Sequence, residues 1–115
     1  MFNKLFRRTE TAVAEVTPAE LQKRIANQEA LLLLDVRSSG EYANDGHISG
    51  SRLLPLDSLA ERSSELPLDR PIICICRSGG RSRMACETLT KQGFSQVINL
   101  RGGMIAWKRA GLPTS

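Results

Sequence analysis

The stretch from Ile72 to Ser82 leaves the chain little choice of local structure. An apolar run, Ile72-Ile73-Cys74-Ile75, leads into Cys76, and Arg77-Ser78-Gly79-Gly80-Arg81-Ser82 follows. The run reads as a buried strand and the adjacent glycines as a tight loop. The segment behind them reads as a helix with Met84, Ala85, Thr88 and Leu89 on one face. Glycine admits positive φ, so successive N–H groups can turn inward and form a concave ring of donors. The helix start adds its own free N–H groups and the positive end of its dipole. A thiol at the first position of such a loop is expected to be ionised, and the thiolate is the nucleophile.

Magnitudes show which donors matter. A free thiol with a pKa of about 8.5 is only a few per cent ionised at neutral pH. Lowering it to about 6 requires roughly 3.4 kcal/mol, at about 1.36 kcal/mol per pH unit. A helix terminus supplies about 0.3–1 kcal/mol and at most about 2. The dipole alone is too weak. Charge-assisted bonds from loop N–H groups, with the cations Arg77 and Arg81, must supply the rest.

The remaining elements take their places around this unit. Ala14 to Val16 is expected as an edge strand. Thr17-Pro18-Ala19-Glu20 is a helix start, with Thr17 as N-cap, Pro18 at the first helical position and Glu20 closing a capping box. Leu21 and Ile25, four apart, would face the core. Leu31 to Val36 is continuously apolar, as in a strand buried on both faces of a parallel sheet. A short helix over Ser38 to Ala43 ends in the turn Asn44-Asp45-Gly46. Arg52 to Leu54 is a short strand, and Pro55 to Ser63 is a short helix or an irregular connection. Pro67 and Pro71 make Leu66 to Pro71 a loop. A helix over Gly80 to Gln92 stops at Gly93. Val97 to Leu100 forms the last strand, and Gly102-Gly103 turns into a final helix through Arg109, closed by Gly111 and Pro113. Strands alternating with helices imply an α/β fold: one parallel sheet of about five strands, covered by helices on both faces. Ligands of such sheets bind at the C-terminal edge of the strands, where Cys76 lies.

Composition excludes several classes. A chain of 115 residues supports one core. Residues 1–13, weakly patterned apart from Phe2, Leu5 and Phe6, are expected as an N-terminal arm, and 14–115 as the domain. Phe2 to Arg8 makes too short a helix to hold a membrane surface, and Leu31 to Leu34 is too short to span a bilayer, so no stable membrane insertion is expected. No secretory pattern follows Lys4, Arg7 and Arg8, which makes the cytoplasm the expected compartment. The 3 cysteines, an odd number, argue against a disulfide framework. Their spacing lacks the paired Cys-x-x-Cys of a zinc site, so no metal is expected. The net charge of +4 favours anionic substrates. No basic run with interleaved aromatics points to nucleic acid.

Cys76-Arg77-Ser78-Gly79-Gly80-Arg81-Ser82 resembles the active-site loop of the rhodanese-like sulfurtransferases, whose pattern is Cys-Arg-x-Gly-x-Arg followed by Ser or Thr. Two further blocks resemble the family in the same order. One is Leu34-Asp35-Val36-Arg37 with Glu41-Tyr42 and Gly46-His47-Ile48. The other is Leu100-Arg101-Gly102-Gly103-Met104 with Trp107. The resemblance runs from Thr17 to Pro113 and is strongest to small single-domain bacterial forms, thiosulfate sulfurtransferases among them. It implies a rhodanese-like domain in which Cys76 takes a sulfane sulfur from a donor such as thiosulfate. The sulfur is held as a persulfide and passed to a thiophilic acceptor: cyanide, a small thiol or a protein thiol. No cofactor is implied. The expected partners are a small anionic donor and a thiol acceptor, with a protein donor or acceptor as the alternative.

The resemblance also assigns candidate roles. Arg77, Ser78, Gly79, Gly80, Arg81 and Ser82 form the substrate-binding loop, in which the hydroxyls of Ser78 and Ser82 can donate to bound sulfur. One arginine orients the anionic donor and the other holds the loop through a carboxylate; the family favours Arg81 for the second task, with Glu41 as partner. Asp35 and Arg37 either fix the loop as an ion pair or turn cap, or touch substrate. His47, the single histidine, is either the base of a Cys-His pair or structural. The family has it structural, and an already ionised thiol needs no base. Cys74 is expected within the central strand, and Met104 and Trp107 in the core. Cys86 is a core residue or a resolving thiol for Cys76. Tyr42 is a candidate wall of the pocket.

Two alternatives share the loop. Cysteine phosphatases and arsenate reductases also cradle an anion over a thiolate, but they use Cys, five residues, then Arg. Counted from Cys76, that position is Ser82, and Arg81 comes one residue early. The shorter ring suits a single sulfur atom better than a tetrahedral phosphate. A non-enzymatic sulfur carrier or partner-binding module working with a desulfurase needs the same loop, so the residues leave that alternative open.

Overall fold

Strands and helices alternate along the chain in the computed structural model, which describes residues 12–115. β1 (Ala14–Val16) leads to α1 (Pro18–Ala26), and β2 (Leu32–Asp35) to α2 (Ser39–Asn44). β3 (Arg52–Leu53) leads to α3 (Leu56–Arg62), which tightens into a 3₁₀ turn over Ser63–Glu65. β4 (Ile72–Ile75) precedes α4 (Gly80–Lys91), and β5 (Val97–Leu100) precedes α5 (Gly103–Arg109). The N-terminal arm predicted for residues 1–13 lies, as far as residue 11, outside the described residues. No helix among the described residues is long and apolar enough to cross a membrane.

Local chemistry sets the helix starts. Thr17 accepts from the Glu20 N–H at 3.1 Å while the Glu20 carboxylate accepts from the Thr17 N–H at 2.9 Å, the capping box read from the sequence. Ser38 and Glu41 form the same box at the start of α2.

The strands make one five-stranded sheet in the order β1-β5-β4-β2-β3, every pair parallel. β4 is central, with β2 on one side from Leu32↔Ile72 to Asp35↔Ile75 and β5 on the other. Both of its faces are therefore covered. Leu34 and Cys74 pack with Leu59 of α3 and Ala85 and Leu89 of α4. Leu33, Ile73 and Ile75 pack on the opposite face with Leu21 of α1 and Met104 and Trp107 of α5. After β2 the chain moves outward to β3; after β4 it moves the other way, to β5. Their connections part between β2 and β4, which opens a crevice at the C-terminal edge.

Two expectations need correction. Met84, placed on one face with Ala85, Thr88 and Leu89, is 55% exposed; Ser82, Ala85, Cys86 and Leu89 form the buried face of α4. Ser82, Ala85, Cys86 and Leu89 follow the three- and four-residue spacing of one helix face, with Ser82 3.2 Å from the Cys76 sulfur. β3 ends at Leu53; the buried Leu54 still bonds the Asp35 carbonyl through its N–H at 2.8 Å, and Pro55, which has no N–H, follows.

Candidate active site

Cys76 stands where β4 ends and is 1% exposed. Gly79, the N-cap of α4, takes the left-handed conformation with φ 107°, which few residues other than glycine adopt. That turn aims its N–H at the Cys76 Sγ, 3.1 Å away. The Ser82 hydroxyl lies 3.2 Å from the same sulfur. Burial is the largest single influence on this thiol and opposes its ionisation. The Ser82 hydroxyl and the N–H groups of Ser82, Gly79 and Ser78 act the other way, and together they hold Cys76 below the ordinary thiol range.

The loop is moulded from outside by α5. The Met104 N–H donates to the Cys76 carbonyl at 2.8 Å, and the Ile105 N–H to the Arg77 carbonyl at 3.0 Å. Free N–H groups at the start of a helix thus take the loop's carbonyls, which leaves the loop's own N–H groups on the sulfur side. The approach is close: a Cβ on Gly103, at φ +58°, would lie 2.4 Å from the Cys76 oxygen. Asn99 of β5 supports the loop from beneath. It is buried, its Oδ1 lies 2.5 Å from the Ser82 hydroxyl, and its Nδ2 donates to the Gly79 carbonyl at 3.2 Å. Neither residue was singled out from the sequence for these contacts. The available signals were a lone amide in an apolar strand and a second pair of glycines.

Two arginine–carboxylate pairs anchor the flanks. Arg81 meets Glu41 through two parallel bonds of 2.7 and 2.8 Å, bridging α4 to α2. The Arg81 guanidinium, helped by the Ser38 N–H, holds Glu41 down at about 2. Arg37 clasps Asp35 at 2.9 and 2.8 Å, with both side chains buried, and donates to the Gly46 carbonyl at 2.9 Å. Asp35 and Arg37 therefore form an ion pair that ties the end of β2 to the end of α2.

The model of the rhodanese-like domain matches residues 17–110 of the chain. The protein belongs to the rhodanese-like domain family. A sulfurtransferase of Allochromatium vinosum is 46% identical over 101 residues, covering 88% of this chain and 94% of that protein. The thiosulfate sulfurtransferase GlpE of Stutzerimonas stutzeri is 40% identical over 91 residues, covering 79% and 82%. The crystal structure of a rhodanese-related protein from Thermoplasma volcanium superposes with a TM-score of 0.81 at 30% identity, covering 89% of this chain and 97% of that one.

In this rhodanese-like domain the other candidate side chains make contacts of their own. The His47 ring stacks on Tyr42, centroids 3.8 Å apart, and its Nδ1 is 2.9 Å from the Tyr42 carbonyl. The His47 backbone exchanges bonds of 3.2 and 2.7 Å with Ser115. Tyr42, the candidate wall, directs its hydroxyl to the Ser51 carbonyl at 2.7 Å. Ser78 and Gly80 are exposed within the loop. Arg77 is exposed and lines a cleft of about 760 Å³ with Arg37, Lys108, Arg109, Asn44 and Asp45. The neighbouring Cys86 thiol, together with burial, pushes the Cys74 thiol well above its ordinary range. Sulfurtransferase chemistry is the family's; the part each side chain plays follows from its contacts.

Proposed function

We propose that this rhodanese-like domain transfers a sulfane sulfur through a persulfide on Cys76. One observation carries the reading: the buried Cys76 sulfur faces the Gly79 N–H at 3.1 Å and the Ser82 hydroxyl at 3.2 Å, and among the described residues no basic side chain is hydrogen-bonded to it. The Cys76 thiolate attacks the outer sulfur of thiosulfate. A new S–S bond forms at Sγ as the bond within thiosulfate breaks, and sulfite leaves with the electron pair. The persulfide's outer sulfur then carries the negative charge, which the inward N–H groups stabilise as an oxyanion hole does. A thiophilic acceptor attacks that outer sulfur and returns Cys76 as thiolate. Such covalent catalysis gives ping-pong kinetics.

The remaining loop residues fit these steps. Arg77, with Lys108 and Arg109 on the same cleft, attracts an anionic donor. Arg81 keeps the loop's shape through Glu41. An ionised thiol needs no base, in keeping with a His47 committed to Tyr42 and Ser115. The named activities of the Allochromatium and Stutzerimonas relatives support the same chemistry. Intact mass after mixing with thiosulfate tests it. A reversible gain of one sulfur, about 32 Da, is expected as the persulfide forms. Cys76→Ser abolishes it, whereas Cys74→Ala and Cys86→Ala retain it. No adduct on the wild type, or an adduct that survives Cys76→Ser, refutes the proposal.

A further inference from the structure

The Ser82 hydroxyl has one proton and two acceptors. It lies 3.2 Å from the Cys76 sulfur and 2.5 Å from the Asn99 Oδ1, with Ser82 0% and Asn99 2% exposed. The amide is held in one orientation. Its Nδ2 donates to the Gly79 carbonyl at 3.2 Å and to Glu15 Oε2 at 3.3 Å, so turning it over would set an oxygen against two acceptors. Oδ1 must therefore face Ser82. Glu15 is fixed in turn by Arg101 at 3.0 Å.

We propose that Asn99 is a positioning residue for sulfur transfer: it is the resting acceptor of the Ser82 proton, so that Ser82 donates to Cys76 only while Sγ is charged. This rests on Cys76 being the sulfur-transfer nucleophile. In the thiol state, S–H points at the Ser82 oxygen and the Ser82 O–H points at Asn99. On ionisation the thiol proton leaves for solvent and the Ser82 O–H rotates onto the thiolate. When Sγ becomes the neutral bridging sulfur of a persulfide, the charge moves to the outer sulfur and the O–H turns back to Asn99. One buried hydroxyl thus stays satisfied in every state of the cycle. Oδ1 loses its donor when the thiolate forms, so Asn99 also tempers the acidity of Cys76. The thiolate that forms is then intrinsically more nucleophilic, because nucleophilicity falls as a thiol's pKa falls.

Other charges surround the sulfur. Arg81, paired with Glu41, is the nearest cation, the Asp35–Arg37 pair closes the end of β2, and Cys74 lies behind it on β4. Beyond Asn99 is the Glu15–Arg101 pair, and farther round the cleft are Lys108 and Arg109. Among the described residues, the Ser82 hydroxyl bonds only Cys76 and Asn99, so an effect passing through it is separable from these charges.

The test is the pH dependence of Cys76 alkylation by iodoacetamide, read by peptide mass in the full chain. The proteins are the wild type, Asn99→Leu, Ser82→Ala and the double variant. In Asn99→Leu the Gly79 carbonyl keeps the Arg83 N–H at 3.1 Å and Glu15 keeps Arg101, so Ser82 alone loses its partner. The midpoint is expected to fall by about 0.5 pH unit, roughly threefold in the ionisation constant. No shift is expected when Asn99→Leu is added to Ser82→Ala. A midpoint unchanged or raised by Asn99→Leu, or shifted equally with and without the Ser82 hydroxyl, overturns the proposal. Should Asn99→Leu not fold, Asn99→Asp serves: the midpoint rises more with Ser82 present than in Ser82→Ala, and an equal rise overturns the proposal. Alkylation needs no sulfur donor. A wild type that takes no sulfur from thiosulfate refutes the transfer reading, while an absent Ser82–Asn99 coupling refutes this one alone.

Discussion

Cys74 and Cys76 lie on the same side of β4, 0% and 1% exposed, yet they are different chemical groups. Cys74 is pushed well above the ordinary thiol range and Cys76 is held below it. Burial pushes both thiols up, and at Cys74 the neighbouring Cys86 thiol pushes further. Cys76 is set apart by its donors. Cys74 sits inside the ladder, opposite Leu34 and Asn99, where backbone N–H groups are committed to strand pairing. At Cys76 the strand has ended, and a left-handed glycine returns an N–H to the sulfur. A nucleophile is made here by stopping a strand beneath it.

The contrast can be broken most severely at Gly103. Gly103→Ala forces a side chain onto the Cys76 carbonyl at a left-handed position, which is expected to cost roughly 2–4 kcal/mol in a urea melt. The inward N–H groups should then splay, and alkylation of Cys76 at neutral pH should fall by about tenfold, one pH unit in its ionisation. Unchanged stability and reactivity would show that α5 does not mould the loop. A narrower change removes one donor. Ser82→Ala should raise the alkylation midpoint of Cys76, since a hydrogen bond to a charged group contributes about 1.5–3 kcal/mol. In the folded chain Cys74 and Cys86 should stay unmodified under the same conditions. Rapid labelling of Cys74 before global unfolding would erase the distinction.

The smallest effect lies at the anchor. Glu41 is depressed from 4.5 to about 2, so its contribution is complete above about 4.5 and is lost as the pH falls towards 2. Arg81 is 39% exposed and Glu41 23%, so solvent screening limits the pair to about 1 kcal/mol. Melting temperatures of wild type and Glu41→Gln should therefore differ at pH 7 and converge through that acid window. A difference that persists at pH 2 would place the effect elsewhere.

By itself the chain determined the pieces whose causes are local. Adjacent glycines after an apolar run dictate strand, loop and helix, and the Thr17…Glu20 spacing dictates a cap, because each is settled by sterics and hydrogen bonds within a few residues. The alternation of apolar strand segments with helical ones likewise determined a parallel α/β sheet, since the runs of β2 and β4 had to be buried on both faces. Only the tertiary structure decided which side chains reach the sulfur's surroundings. Asn99 meets Ser82 across 17 residues, and Glu41 meets Arg81 across 40; the family resemblance suggested the second pair and not the first. The first contact depends on β5 lying beside β4 and the second on β2 lying beside β4, each in one register, and register is set by burial summed over the whole sheet, which no short stretch of residues records.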